Sequence, residues 1–407
     1  MLFANFTQEF VIFFALYTIL FSLLFIPKIS KRLKKLNYQY LFWGVLGLQL
    51  LTIALIKKEI TDVMLFSGAG WHLRHGIDFY FIDSDHGQYP FFPFLIFAHA
   101  VFNYLTETIK LFPFVFYLKL LLIAALQYLG FFIYKKTKSQ ILQLQFLLCP
   151  ITFAVVLYHG QIDVILLAFL LASLQFLLAQ KLQTVVLGAL LLAASIATKT
   201  WSIVFLPLIA WFQKNMFKVI LTGLLIVLFL LGDVFIYTRL VFGSSVRTVL
   251  PAVLAAGGPI GHWGWPLLVS FIIPISVITN YKFYLFILLL GVVFAILVWK
   301  KLPLTISLLG FVLGLYLVIP NWGIQYSFWV LPFLFLSFSQ ISKPWTYSYL
   351  FLSSILVFAN YLNLSAAKSV FSVQILDMIG IIVWLWILLG FYLLVAKKYE
   401  KNRDYLT

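Results

Sequence analysis

YHGQIDVILL, residues 158–167, sets a histidine, a glutamine and an aspartate between two long apolar runs. Outward from it, residues 140–158 and 162–180 each have the length and composition of a helix that crosses a hydrocarbon layer of roughly 30 Å. The polar residues therefore fall at a tight turn joining two such helices. Ionisable groups in a membrane-embedded setting are expensive and are usually kept for a task. Asp163 also suits the first turn of the second helix, where a carboxylate meets the positive end of the helix dipole.

The same pattern recurs along the chain. Of 407 residues 64% are hydrophobic, and the mean hydropathy is +1.07. The runs are continuous rather than alternating, which excludes barrel strands. The expected fold is an all-α polytopic membrane protein with about 13 transmembrane helices, near 8–27, 38–57, 112–134, 140–158, 162–180, 183–199, 201–213, 218–240, 282–299, 302–319, 325–341, 346–363 and 375–396. Residues 264–280 are apolar enough to cross, but a crossing there would put Lys300 and Lys301 on the wrong side. The segment is read as interfacial or re-entrant. Residues 1–37 form an extra N-terminal helix with a basic loop, 38–280 a catalytic-type module with external loops 58–111 and 241–263, and 281–407 the C-terminal helices. Helix one lacks a basic segment before it and a small-residue cleavage site, unlike a cleaved signal peptide.

The net charge of +16 is a topology signal, not a nucleic-acid footprint. Short basic clusters (Lys28 to Lys35, Lys135 to Lys138, Lys214 with Lys218, Lys300 with Lys301, Lys397 to Arg403) alternate with the crossings and are expected to be cytoplasmic. Most acids fall in the opposite connections, so chemistry is expected on the extracytoplasmic face. One cysteine, Cys149, excludes a disulfide framework, and six histidines show no metal-ligand spacing.

Several polar positions carry a structural and a functional reading side by side. Asp62 either partners Lys57 or Lys58 and opens a helix, or acts as a site acid; Glu59, Asp83 and Asp85 are its rivals in the same loop. Lys199 in ATKTW either snorkels to the surface or offers a point charge to a phosphate; Arg247 has the same two readings. NWGIQYSFWVLP, with Gln325, Tyr326 and Trp329, is either an interfacial aromatic anchor or the lining of a groove. The expected topology puts all of these on one side of the membrane.

The order of motifs resembles the glycosyltransferase C superfamily, and within it the polyprenyl-phosphate-mannose-dependent mannosyltransferases. Thr61–Asp62 opens the first long loop, GQYPFFPF with Tyr89 follows, HGQID matches a His-Gly-Gln-x-Asp turn, ATKTWSIVFLP resembles a Lys-before-Pro helix pair, and IQYSFWVLP resembles a Gln-Tyr-x-x-Trp-x-x-Pro segment. Met64 stands where members often carry a second acid, and Phe91 where they carry a second proline. The resemblance implies an inverting hexosyltransferase of the prokaryotic cell membrane. It would move a hexose, mannose by analogy, from a polyprenyl-phosphate donor to a lipid-linked or glycan acceptor, without cofactor, metal or nucleic acid. An accessory subunit is compatible with the resemblance but not implied by it. By the same analogy Asp62 is the base. His159, Gln161 and Asp163 would contact sugar or phosphate, Lys199 and Arg247 the phosphate, and Tyr89, Gln325, Tyr326 and Trp329 the sugar or lipid groove. Two other readings compete: an O-antigen-ligase-like or polymerase-like enzyme, which wants a large Arg-rich late loop, and a lipid-linked sugar transporter, which wants polar groups at helix midpoints. Gln127, Gln143, Gln145 and Gln175 are weak candidates for the latter.

Overall fold

The computed structural model describes residues 6–56, 61–80, 91–179, 181–243, 249–254, 263–366 and 369–399, and every regular element among them is helical. Six helices among the described residues are long and apolar enough to cross a membrane, or eight if each of two bent pairs is one span; apolar helices of 10–17 residues lie between them. The chain is a multi-pass membrane protein by this character. Its outer surfaces agree: only 17% of the apolar window in Met216–Val241 and 11% of that in Ile275–Lys300 is buried. Such bare hydrocarbon is stable only in lipid.

Helices lie near most of the expected positions, but not as thirteen full spans: 325–341 holds only the short Ile324–Phe328 and Leu331–Leu336. Phe6–Leu23 is followed by Pro27–Leu33, bent from it by 87°. Gln140–Leu147 and Pro150–His159 bend by 42°. Each break falls at a proline, which cannot donate the next helical hydrogen bond. The segment 264–280 is not one helix. Gly264–Ser270 is short, Pro274 stands at the N-cap of the next helix, and that helix runs Ile275–Lys300, seven residues earlier than expected from the 282 start. The stretch read as the external loop 58–111 is not irregular throughout. It contains the helices Thr61–Arg74 and Phe94–Tyr104, the second prolonged by a wider turn, Leu105–Ile109.

The chain divides into two compact units. One comprises Met1–Leu41, Gly130–Ala154 and Gly258–Leu406; the other comprises Phe42–Leu129 and Val155–Gly257. The first is built round Leu304–Val318, buried at every position but Leu317. Glycines let neighbours approach it: a Cβ at Gly314 would lie 2.3 Å from a Val293 methyl. The second is built round the hairpin Asp163–Leu177 and Leu182–Thr198, where Ser195 Oγ donates to Leu166 O at 2.9 Å. There too Thr61–Arg74 packs on Phe94–Tyr104 so closely that a Cβ at Gly70 would meet the His99 carbonyl carbon at 2.4 Å.

Two of the mid-helix glutamines join helices. Gln127 Nε2 donates to Gln49 Oε1 at 2.7 Å, and Gln143 Nε2 to the Tyr38 hydroxyl at 3.1 Å. Among the described residues the non-glycine residues with left-handed backbone are Lys110, Lys138, Lys214 and Lys301, with φ of 57°, 56°, 56° and 49°. Each directly follows the last residue of a helix.

Candidate functional site

Asp62 occupies the first turn of Thr61–Arg74, where unsatisfied N–H groups favour a carboxylate. The HGQ turn reaches it through Gly160. That residue has φ +83°, and a Cβ on it would come within 2.9 Å of Val63 Cγ2. The turn thus lies directly against the first turn of the other helix. His159 Nε2 stands 3.4 Å from Asp62 Oδ2. Gln161 Nε2 donates to the same oxygen and lies 2.9 Å from His159 Nε2. The amide so placed fixes both partners.

The electrostatics follow from these contacts. Burial pushes the Asp62 carboxyl up, but the His159 hydrogen bond and charge, the Gln161 hydrogen bond and the Lys199 charge outweigh it and hold it at about 2. Asp62 is therefore ionised at any physiological pH. Its side chain keeps 39% of its surface, against 7% for His159, so the carboxylate is the part of the cluster that an incoming molecule can reach.

Asp163 and Lys199 form the second half. Asp163 lies in the first turn of its helix with no exposed surface, and its Oδ2 accepts from Lys199 Nζ at 2.9 Å. Its Oδ1 accepts from Trp201 Nε1 at 3.4 Å. Lys199 terminates Leu182–Thr198 in extended backbone, φ −160°, which turns its side chain back to the hairpin partner. Its ammonium also lies 5.6 Å from the Phe91 ring centroid, a cation–π distance. Lys199 is thus an ion-paired, buried lysine rather than one that snorkels outward.

The remaining expected site residues divide. Tyr89 and Arg247 lie outside the described residues, as do Glu59, Asp83 and Asp85. Gln325, Tyr326 and Trp329 belong to the other unit, on and just after the short helix Ile324–Phe328; Tyr326 stacks on Trp329 at 4.0 Å. Sequence reasoning missed Lys119. It is 1% exposed within Phe114–Thr137, and its Cε lies 3.8 Å from the point a Gly160 Cβ would occupy. A lysine isolated in an apolar helix near the same membrane face was the available signal. Among the described residues no three of His, Cys, Asp and Glu come together as metal ligands.

No family model, curated protein or solved structure matches the chain.

Proposed function

We propose that the protein is an inverting glycosyltransferase of the C type, with about thirteen crossings, acting at the extracytoplasmic face of a prokaryotic cell membrane. It moves a hexose, mannose by the motif resemblance, from a polyprenyl-phosphate donor to a glycan or lipid-linked acceptor. The observation that supports this reading is the convergence of Asp62 with His159 and Gln161, beside a buried Asp163–Lys199 pair, in a chain that otherwise presents hydrocarbon. The acceptor oxygen attacks the anomeric carbon as its bond to the phosphate oxygen breaks. The phosphate leaves with the electron pair, and the hydroxyl proton passes to Asp62. A carboxylate held low is a weak base, which suits a transition state in which the hydroxyl becomes acidic only as the new bond forms. His159 and Gln161 keep it ionised and aimed. Lys199, with Asp163 taking one of its donors, adds positive charge for the departing phosphate.

Two of the four mid-helix glutamines that would favour a transporter, Gln127 and Gln143, donate to Gln49 and Tyr38 and so join helices. The test is sugar transfer from a polyprenyl-phosphate hexose in liposomes. Asp62→Asn keeps shape and removes charge, and is expected to cost about 10²–10⁴-fold in rate, the range of a general base. Near-full turnover by that variant would make Asp62 a structural acid and remove the central step.

A further inference from the structure

The helix Leu304–Val318 ends at a short unwound stretch, 319–323, before Ile324–Phe328 begins. A helix that ends leaves its last carbonyls without intrahelical partners. Three indoles supply donors here: Trp263 Nε1 to Tyr316 O at 3.0 Å, Trp384 Nε1 to Leu317 O at 3.4 Å, and Trp265 Nε1 to Val318 O at 2.9 Å. These three tryptophans cap the helix.

Trp322 is a fourth indole at this place and behaves differently. Its ring stacks on Trp263 with centroids 3.8 Å apart and meets Tyr316 edge-on at 4.8 Å. Its N–H is buried and has no acceptor. The side-chain oxygen of its neighbour Asn321 is buried and has no donor. Both residues keep part of their surface exposed, so the pair lies just under the surface. A buried polar group left without a partner is costly, and each of these two calls for an explanation.

The chemistry left open is one N–H donor and one oxygen acceptor against aromatic rings. A hydroxyl both accepts and donates, and the C–H face of a pyranose packs on aromatic rings. Residues 302–342 and 263–281, which supply the ring neighbours of Trp322, contain no Asp, Glu, Lys, Arg or His. We propose that Asn321 and Trp322 form a subsite for a neutral hexopyranosyl unit of a glycan. The proposal deepens the glycosyl-transfer reading and rests on it for the ligand class.

The test uses the full chain in lipid nanodiscs, free of glycoside detergent, and saturation-transfer NMR with methyl α-mannopyranoside and methyl β-glucopyranoside. Ring-proton signals from at least one hexoside are expected. Asn321→Ala and Trp322→Phe should each weaken its binding about tenfold, the effect of losing one net hydrogen bond. Trp265→Phe removes a capping bond; it should lower the unfolding temperature and leave the signal in place. Three results overturn the subsite: no hexoside signal in the wild type, binding undiminished by either substitution in a folded variant, or displacement of the sugar by inorganic phosphate. Should Trp322→Phe fail to fold, Asn321→Ala decides alone. Asp62→Asn separates the two readings. Full turnover by Asp62→Asn would end the proposed catalytic step while leaving the subsite to the hexoside data. Undiminished hexoside binding by Asn321→Ala would end the subsite whatever Asp62→Asn does.

Discussion

Gly160 carries two constraints at once, a φ of +83° and a Val63 methyl 2.9 Å from where a Cβ would stand. Gly160→Ala is expected to cost about 1–3 kcal/mol of stability, read as a lowered unfolding midpoint in detergent. Asp62 gives a pH signature. Its carboxyl moves from an ordinary 3.8 down to about 2 on folding. A lowered carboxylate pKa adds stability that is complete above the unfolded value and lost as pH falls through the folded one. Unfolding midpoints should therefore drop between about pH 4 and pH 2 in the wild type and stay flatter in Asp62→Asn. Identical profiles would contradict the assigned contacts. Lys199 gives a third test. Removing one partner of a buried ion pair costs about 3–5 kcal/mol, whereas replacing both by apolar groups is often neutral. Lys199→Met should destabilise strongly, and Lys199→Met with Asp163→Leu should recover most of the loss. The sequence made the meeting of Asp62 with HGQ readable, because the expected topology put both at one face. It left Lys199 between snorkelling and a phosphate contact and did not show the pair with Asp163, because that depends on where the backbone of Thr198–Thr200 turns the side chain.

At the scale of elements, two glycines of one helix have opposite duties. Gly70 lies against the His99 backbone, while Gly68 has nothing within 4 Å of where a Cβ would stand. Gly70→Ala must push Thr61–Arg74 off Phe94–Tyr104, at about 1–3 kcal/mol. Gly68→Ala fills open space and should gain about 0.5–1 kcal/mol in helix propensity. Thermal unfolding of the two variants in one detergent checks the contrast; equal shifts would contradict the packing. The same glycines explain why residues 58–111 read as a loop. SGAG is poor helix sequence taken locally, and only the neighbouring helix shows that a bare backbone is wanted there. The helical, apolar character of the chain was far easier to read, because length and apolarity define it, although six to eight of the described helices, not thirteen, are long and apolar enough to cross. The bends at Pro27 and Pro150 were not foreseen, since a proline within an apolar run can either kink a helix or start a new one.

At the scale of the whole molecule, orientation is the open quantity that charge predicts. Lys300 and Lys301 close the helix Ile275–Lys300 and are expected in the cytoplasm. Lys301→Cys in intact cells should resist an impermeant thiol reagent and react after permeabilisation. Cys149 has no exposed surface, so the background is low. Labelling from outside would instead make 264–280 a crossing and reverse the side of every loop that follows it. Lys301 is also one of the four lysines in left-handed backbone at a helix end. Glycine takes that conformation freely, and a residue with a side chain gives up about 1 kcal/mol there. Evolutionary replacement by glycine would thus make a sturdier protein at each place. At Lys138, Lys214 and Lys301 it would also erase a charge that the insertion machinery reads as the nascent chain enters the bilayer. A glycine-substituted chain would hold together better once folded, yet a fraction of it would be threaded upside down at birth.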